Sequence, residues 1–180
     1  MIAAISNPYT SLPKLALSIR QPWAFCLAAG WKPVENRSWK RGNPGLNFRG
    51  EFAIHASTGM TRDEYQDCAE LCARLGFTRP PPADLQRGGI VGVATIVDVV
   101  TEMDSGWFFG PKGLVVADAR PIDFIPVGGQ LGFFDWRKLL PLVGNGGPLP
   151  VPPAKWMLPA GPKAPAAPKP APADTQGSLL

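Results

Sequence analysis

The sequence predicts an α+β fold, a small mixed β-barrel with flanking helices, and three observations predict it. Short stretches of alternating apolar and polar residues recur between Leu15 and Trp136, separated by Gly, Pro and Asn turn chemistry. Only two segments, after Pro22 and after Thr61, carry helix signals. From Pro141 onward the composition changes, and half of the 22 prolines lie there. Short, closely spaced strands with few helices suit a curled sheet better than a regular βαβ series. The expected organisation is an N-terminal extension over 1–13, a barrel domain over 14–138 and a Pro/Ala/Lys-rich disordered tail over 139–180. A chain of 180 residues is one-domain length, and a folded part of about 130 residues buries roughly two thirds of its unfolded surface.

Leu15, Leu17 and Ile19 alternate with Ala16, Ser18 and Arg20, which predicts a strand with one buried face. Pro22 fits a first helical turn, where its missing N–H costs nothing, and Gly30 fits the stop. Val34 to Trp39 reads as a returning strand that places Glu35, Arg37 and Trp39 on one face. After turn chemistry at Gly42-Asn43-Pro44-Gly45, Glu51 to Ser57 reads as a strand with Phe52, Ile54 and Ala56 inward and His55 outward. Thr61 and Glu64 have the spacing of a capping box for a helix that runs to Leu75 and stops at Gly76. Arg79 to Gly89, with three consecutive prolines, reads as a loop. Ile90 to Val100, rich in Val, Ile and Thr, predicts a strand long enough to curve, with Gly92 at a bend or close approach. An aromatic loop, Trp107-Phe108-Phe109-Gly110-Pro111, precedes strands at Leu114–Arg120, Asp123–Val127 and Leu131–Trp136. Lys155-Trp156-Met157-Leu158 in the tail reads either as a chance apolar remnant or as a short docking patch.

Composition excludes several function classes. The segment from Met1 to Lys14 lacks a basic start followed by an apolar run, and no stretch approaches the roughly 20 apolar residues of a membrane span. The expectation is a cytoplasmic protein with no membrane contact. Cys26, Cys68 and Cys72 are an odd number, with only Cys68 and Cys72 close in sequence, and read as small buried apolar side chains. With a single histidine, His55, there is little ligand material for zinc, so neither a metal nor a cofactor is expected.

The net charge of +4 is misleading as a whole-chain figure. Residues 1–136 carry 13 Lys or Arg and 13 Asp or Glu, so the excess sits entirely in the tail. Within the folded part, Lys14, Arg20, Lys32, Arg37, Lys40, Arg41 and Arg49 face the single acid Glu35 over residues 14–50, whereas 51–136 hold 12 acids and 6 bases. Such polarity suits a binding face for an anionic partner.

The segment Ser18-Ile19-Arg20-Gln21-Pro22-Trp23-Ala24, followed by Gly30-Trp31-Lys32-Pro33-Val34-Glu35-Asn36-Arg37-Ser38-Trp39, concentrates hydrogen-bonding groups at helix ends and turns. These groups predict a recognition pocket. Arg20 and Arg37 offer forked donors, Gln21 a paired donor and acceptor, and Trp23, Trp39, Trp107 and Phe109 planar faces for bases. Trp23 reads first as a core anchor of the helix and second as a stacking face, and Trp107 as core or cover. Lys32 and Glu35 read either as an ion cluster that fixes Arg37 or as a catalytic pair, because a lysine in a dry cationic pocket becomes a base or nucleophile. Nothing beyond its presence makes His55 part of a nucleophilic triad.

At these residues, and again at Ile54-His55-Ala56-Ser57 and in the Gly89 to Val100 strand, the chain resembles the ASCH domain family (activating signal cointegrator homology) over residues 13 to 136. The resemblance implies a PUA-like barrel with a cleft beside the first helix, associated with RNA or DNA and with modified nucleobases. Some small members of that family hydrolyse N-acylated cytidine with a Lys, a Thr and a Glu. Lys32 corresponds to their lysine, whereas the position of their threonine is Glu35; their glutamate lies later in the barrel and has no assigned counterpart here, Asp98 and Glu102 being the candidates. The resulting expectation is binding of nucleic acid, RNA first, or of a nucleotide or nucleoside. The residues expected to carry it are Arg20, Gln21, Trp23, Lys32, Glu35, Arg37, Trp39, His55, Trp107 and Phe109. The alternative is a nucleoside amidohydrolase using Lys32 and Glu35, and a third possibility is a protein partner held by the proline-rich tail.

Overall fold

The computed structural model describes residues 9–140 and 150–159. Six strands form one curled mixed sheet, a half-barrel, accompanied by two α-helices among the described residues. The strands are β1 (Leu15–Ile19), β2 (Val34–Arg37), β3 (Gly50–Ala56), β4 (Gly89–Val100), β5 (Lys112–Pro126) and β6 (Phe133–Asp135). Their spatial order is β2-β5-β4-β3-β1-β6. Only β1 and β3 run parallel, with Leu17 opposite Ile54; every other pairing is antiparallel.

The sheet buries both faces. Leu17, Ile19, Phe52, Ile54 and Ile96 pack on the concave side against Ala24, Leu27 and Ala28 of α1 (Trp23–Ala28). On the other side Ala16, Ala53 and Ile90 meet Phe134 and the fully buried Trp136, whose indole N–H donates to the carbonyl of Pro13 at 2.7 Å. The expected period of two in β1 is present, with apolar partners for both of its faces. Gly92 lets α1 sit against the sheet: a Cβ there would lie 2.8 Å from the Ala28 methyl and 2.8 Å from the Arg120 carbonyl oxygen.

Two separate strands were expected over 114–127, but β5 is continuous from Lys112 to Pro126. Pro121 would end an ordinary central strand because it cannot donate to the ladder. Here it lies opposite Gly92, next to a register shift between Ile90 and Gly92, where the ladder is already interrupted. Asp118, at a φ of +52°, bends the same strand.

The sheet's edge strands approach each other through side chains. Trp39, just beyond β2, meets Phe133 of β6 with ring centroids 6.1 Å apart, and Arg37 of β2 donates to the Ser18 carbonyl of β1 at 2.8 Å. The second helix, α2 (Arg62–Leu75), begins with both hydrogen bonds of the capping box and ends at Gly76 with φ +81°. Those signals are local, and the helix obeys them.

The tail differs from the expectation over one segment. Residues 150–159 lie against the domain: Arg87 Nη2 donates to the Pro152 carbonyl at 2.6 Å, Met157 is buried with Met60, Tyr65 and Leu85, and Trp156 faces Tyr65 at 6.1 Å. Composition alone misses this, because Pro-rich chain with little apolar content builds no core of its own yet can add two anchors to an existing one. The rest of the expected tail, 141–149 and 160–180, falls outside the described residues, as do 1–8 of the expected N-terminal extension. No helix among the described residues is long and apolar enough to cross a membrane.

Candidate functional site

A cleft of about 390 Å³ opens where the end of β1, the start of α1, the strand β2 and the first turn of α2 converge. Arg20, Trp23, Lys32, Glu35, Asn36, Arg37, Glu64 and Phe109 line it together with Ser18 and Ile19. Of the seven cations crowded into residues 14–50, it gathers Arg20, Lys32 and Arg37. Others are engaged elsewhere, such as Lys14 with Asp135 at 3.7 Å and Arg49 with Asp98 at 3.4 Å.

Glu35 is the hub of the buried side. One of its oxygens accepts from Lys32 Nζ at 2.5 Å, and the other lies 3.2 Å from Arg37 Nη2. Lys32 also donates to the Val34 carbonyl at 2.7 Å. With side-chain exposures of 2% for Lys32 and 9% for Glu35, the pair is sequestered from bulk water. The guanidinium of Arg37 is pinned from several directions: by Glu35, by the Ser18 carbonyl and by the Trp39 ring, whose centroid lies 5.4 Å from Cζ. Its Nε is buried without a hydrogen-bond partner.

On the exposed side, Arg20 forks onto Glu64: Nε to Oε1, and Nη2 to Oε2 at 2.7 Å. Glu64 is also the third residue of α2, where it closes the capping box by accepting from the Thr61 N–H at 2.7 Å. The same carboxylate thus starts the helix and aims the arginine. Hydrogen bonding from Arg20 holds the Glu64 carboxyl below its usual range, against the opposing effect of burial.

Phe109, 63% exposed, forms the aromatic lip and meets Trp23 edge-on at 6.5 Å. Asn36 holds that lip in place. Its Oδ1 accepts from the Phe109 N–H at 2.8 Å while its Nδ2 donates to the Trp107 carbonyl at 2.9 Å. Trp23 lines the cleft and also packs against the core.

Several expected site residues lie elsewhere. Gln21 is 1% exposed, with its amide N–H donating to the Gln86 carbonyl at 2.8 Å and its oxygen accepting from the Phe25 N–H at 3.0 Å. Both ends of the amide are therefore spent on the fold. Trp107 is buried among Cys26, Cys68 and Cys72 rather than over the cleft, because its loop turns the indole inward and leaves Phe109 outside. Trp39 lines an adjoining groove with Phe48 and Phe133, joined to the cleft through Arg37.

His55 is buried and bonded at both nitrogens, Nε2 to the Val127 carbonyl at 2.9 Å and Nδ1 to Ser18 Oγ at 3.1 Å. A carbonyl only accepts, so Nε2 carries the proton and Nδ1 accepts the Ser18 hydroxyl. Burial lowers the imidazole pKa and favours this neutral form. Asp98 and Glu102 do not line the cleft; Asp98 is exposed and paired with Arg49.

Sequence reasoning missed Asn36 and Glu64. The Thr61/Glu64 capping signal announced that Glu64 would be fixed at a helix start, but its arginine partner is 44 residues away. The partners of Asn36 are 71 and 73 residues away, and no local pattern marks such a bond. Compared with known proteins, the chain matches no protein-family model and no curated protein sequence.

Proposed function

We propose that the cleft binds one nucleobase or nucleotide unit, of single-stranded RNA in the first instance, as the resemblance to ASCH domains implies. The observation that carries this reading is the convergence of forked cationic donors with the exposed Phe109 ring around one opening. The cavity lies within the ~300–1,000 Å³ range usual for small-ligand sites. An unstacked base would lie against Phe109 and Trp23, and a phosphate would meet Arg20 or Arg37.

Charge bookkeeping narrows the ligand. Arg20, Lys32 and Arg37 are accompanied in the cleft by Glu35 and Glu64, a net charge of +1 among these five. Long phosphate backbones therefore gain little here, and a single unit with one or two phosphate contacts fits best. For a single strand, two contacts give a log–log salt slope of about −1.4.

The test is a panel of nucleotides, short RNA and DNA strands and modified nucleosides, read by calorimetry. Phe109→Ala is expected to weaken binding by about 1–3 kcal/mol, the usual worth of a stacked base. Unchanged affinity in both Phe109→Ala and Arg37→Ala would remove the reading.

One observation favours a second reading, a hydrolase of N-acylated cytidine or a related nucleoside. Lys32 Nζ lies at the cleft in direct contact with a carboxylate and uses two of its three N–H donors on Glu35 and Val34. Release of acid from an N-acylated nucleoside, lost in Lys32→Ala, would establish that reading in place of simple binding. A protein partner for the proline-rich tail is tested by deletion of 160–180.

A further inference from the structure

The fold assembles a thiol cluster that the nucleotide-binding reading does not use. Cys26 of α1 and Cys68 and Cys72 of α2 are each at most 1% exposed. Their sulfurs lie 3.6, 3.9 and 3.8 Å apart, forming a nearly equilateral triangle. Cys68 and Cys72 share a helix face through their spacing of four, while Cys26 comes from another helix 42 residues earlier. The three cysteines are buried, as the sequence reading expects, and the fold also brings all three together.

We propose that Cys26, Cys68 and Cys72 form a three-sulfur site for a soft, thiophilic cation of the copper(I) class. The circumradius of the sulfur triangle is about 2.2 Å. A metal–thiolate bond is ~2.3 Å long, so an ion at or just above the centre bonds all three sulfurs with almost no rearrangement. Thiolate ligands select copper(I), zinc and iron–sulfur chemistry over harder ions.

The surroundings decide among these. Zinc takes four ligands in tetrahedral array, yet no His, Asp or Glu joins the three thiols among the described residues. Val34, Leu71 and Trp107 belong to the same buried cluster, with Trp31 and Phe77 packed against it, leaving little room for water as a fourth ligand. A three-coordinate soft ion needs neither. Met103, whose thioether is also soft, packs against the cluster.

Ligation exchanges the thiol protons for the ion, the protons leaving to solvent, with no change of oxidation state. Access adjoins a groove on α2 flanked by Asp67 and Glu70, since Trp23 and Leu71 line that groove and also pack in the sulfur cluster.

The test uses the full chain, reduced and anaerobic, titrated with copper(I) against a chromophoric copper(I) chelator. The expected result is one ion per chain, a thiolate-to-copper charge-transfer band in the ultraviolet, and X-ray absorption showing sulfur neighbours alone at about 2.2 Å. Cys68→Ala and, separately, Cys26→Ala should abolish the band while circular dichroism stays that of the parent. The X-ray absorption result requires no variant, so a misfolded substitution does not shelter the proposal. Absence of binding, nitrogen or oxygen neighbours around the ion, tighter binding of zinc than of copper(I), or unchanged stoichiometry in a folded Cys68→Ala chain would each overturn it.

Discussion

Removing the Glu35 carboxylate is expected to be among the most costly single changes in the cleft. In Glu35→Ala, Lys32 keeps only the Val34 carbonyl as partner while remaining 2% exposed, and Arg37 loses its ion-pair contact while its Nε is already unpartnered. Deleting one member of a buried ion pair costs about 3–5 kcal/mol, because the remaining charge is left desolvated. With a urea slope of about 2 kcal/mol per M, the unfolding midpoint should fall by roughly 1.5–2.5 M. The double substitution Lys32→Met/Glu35→Leu removes both buried charges and fills similar volume. It should recover more than half of that loss, since apolar replacements of buried pairs are often near neutral. Urea unfolding of the parent, Lys32→Met, Glu35→Leu and the double variant supplies the complete cycle, with Glu35→Ala measured beside it. A loss below about 1 kcal/mol in Glu35→Ala, the size usual for exposed pairs, would refute the reasoning that this side of the cleft is a dry, charge-balanced wall.

Asn36→Ala should release the aromatic lip: the Phe109 amide, now held by Asn36 Oδ1 at 2.8 Å, should lose hydrogen-exchange protection while amides within β4 keep theirs. Equal protection in variant and parent would show that the loop is held by other contacts. His55 has a folded pKa below its ordinary value of 6.5 because burial opposes its charge, so the unfolded chain binds more protons as the pH falls. The sign follows: this contribution to stability is complete above about pH 6.5 and declines as the pH falls below it. His55→Asn should flatten the stability profile between about pH 6.5 and 5, measured by thermal unfolding, and an unaltered slope would dismiss the buried neutral imidazole.

The sequence alone determined the elements whose causes are local. The period of two places Leu17 and Ile19 against one core, the Thr61/Glu64 capping box starts α2, and Gly76 ends it in a left-handed conformation. These features depend on backbone sterics and on groups a few residues apart, so they can be read in order along the chain. It also marked the short stretch from Arg20 to Arg37, whose polar groups lie at element ends, as the source of the cleft.

Tertiary structure decided which of those groups meet. Gln21 and His55 carry suitable chemistry, yet the packing of distant segments supplies each with two internal partners and withdraws them from the opening. Trp107 and Phe109 are two residues apart, but loop geometry buries one ring and exposes the other. Glu64 reaches Arg20, Asn36 holds the aromatic lip, and Cys26 joins Cys68 and Cys72 only because the curled sheet brings its helices and loops to the same side. Side-chain type is a property of a position, whereas partnership depends on long-range chain closure, and propensity carries no information about contacts formed tens of residues away.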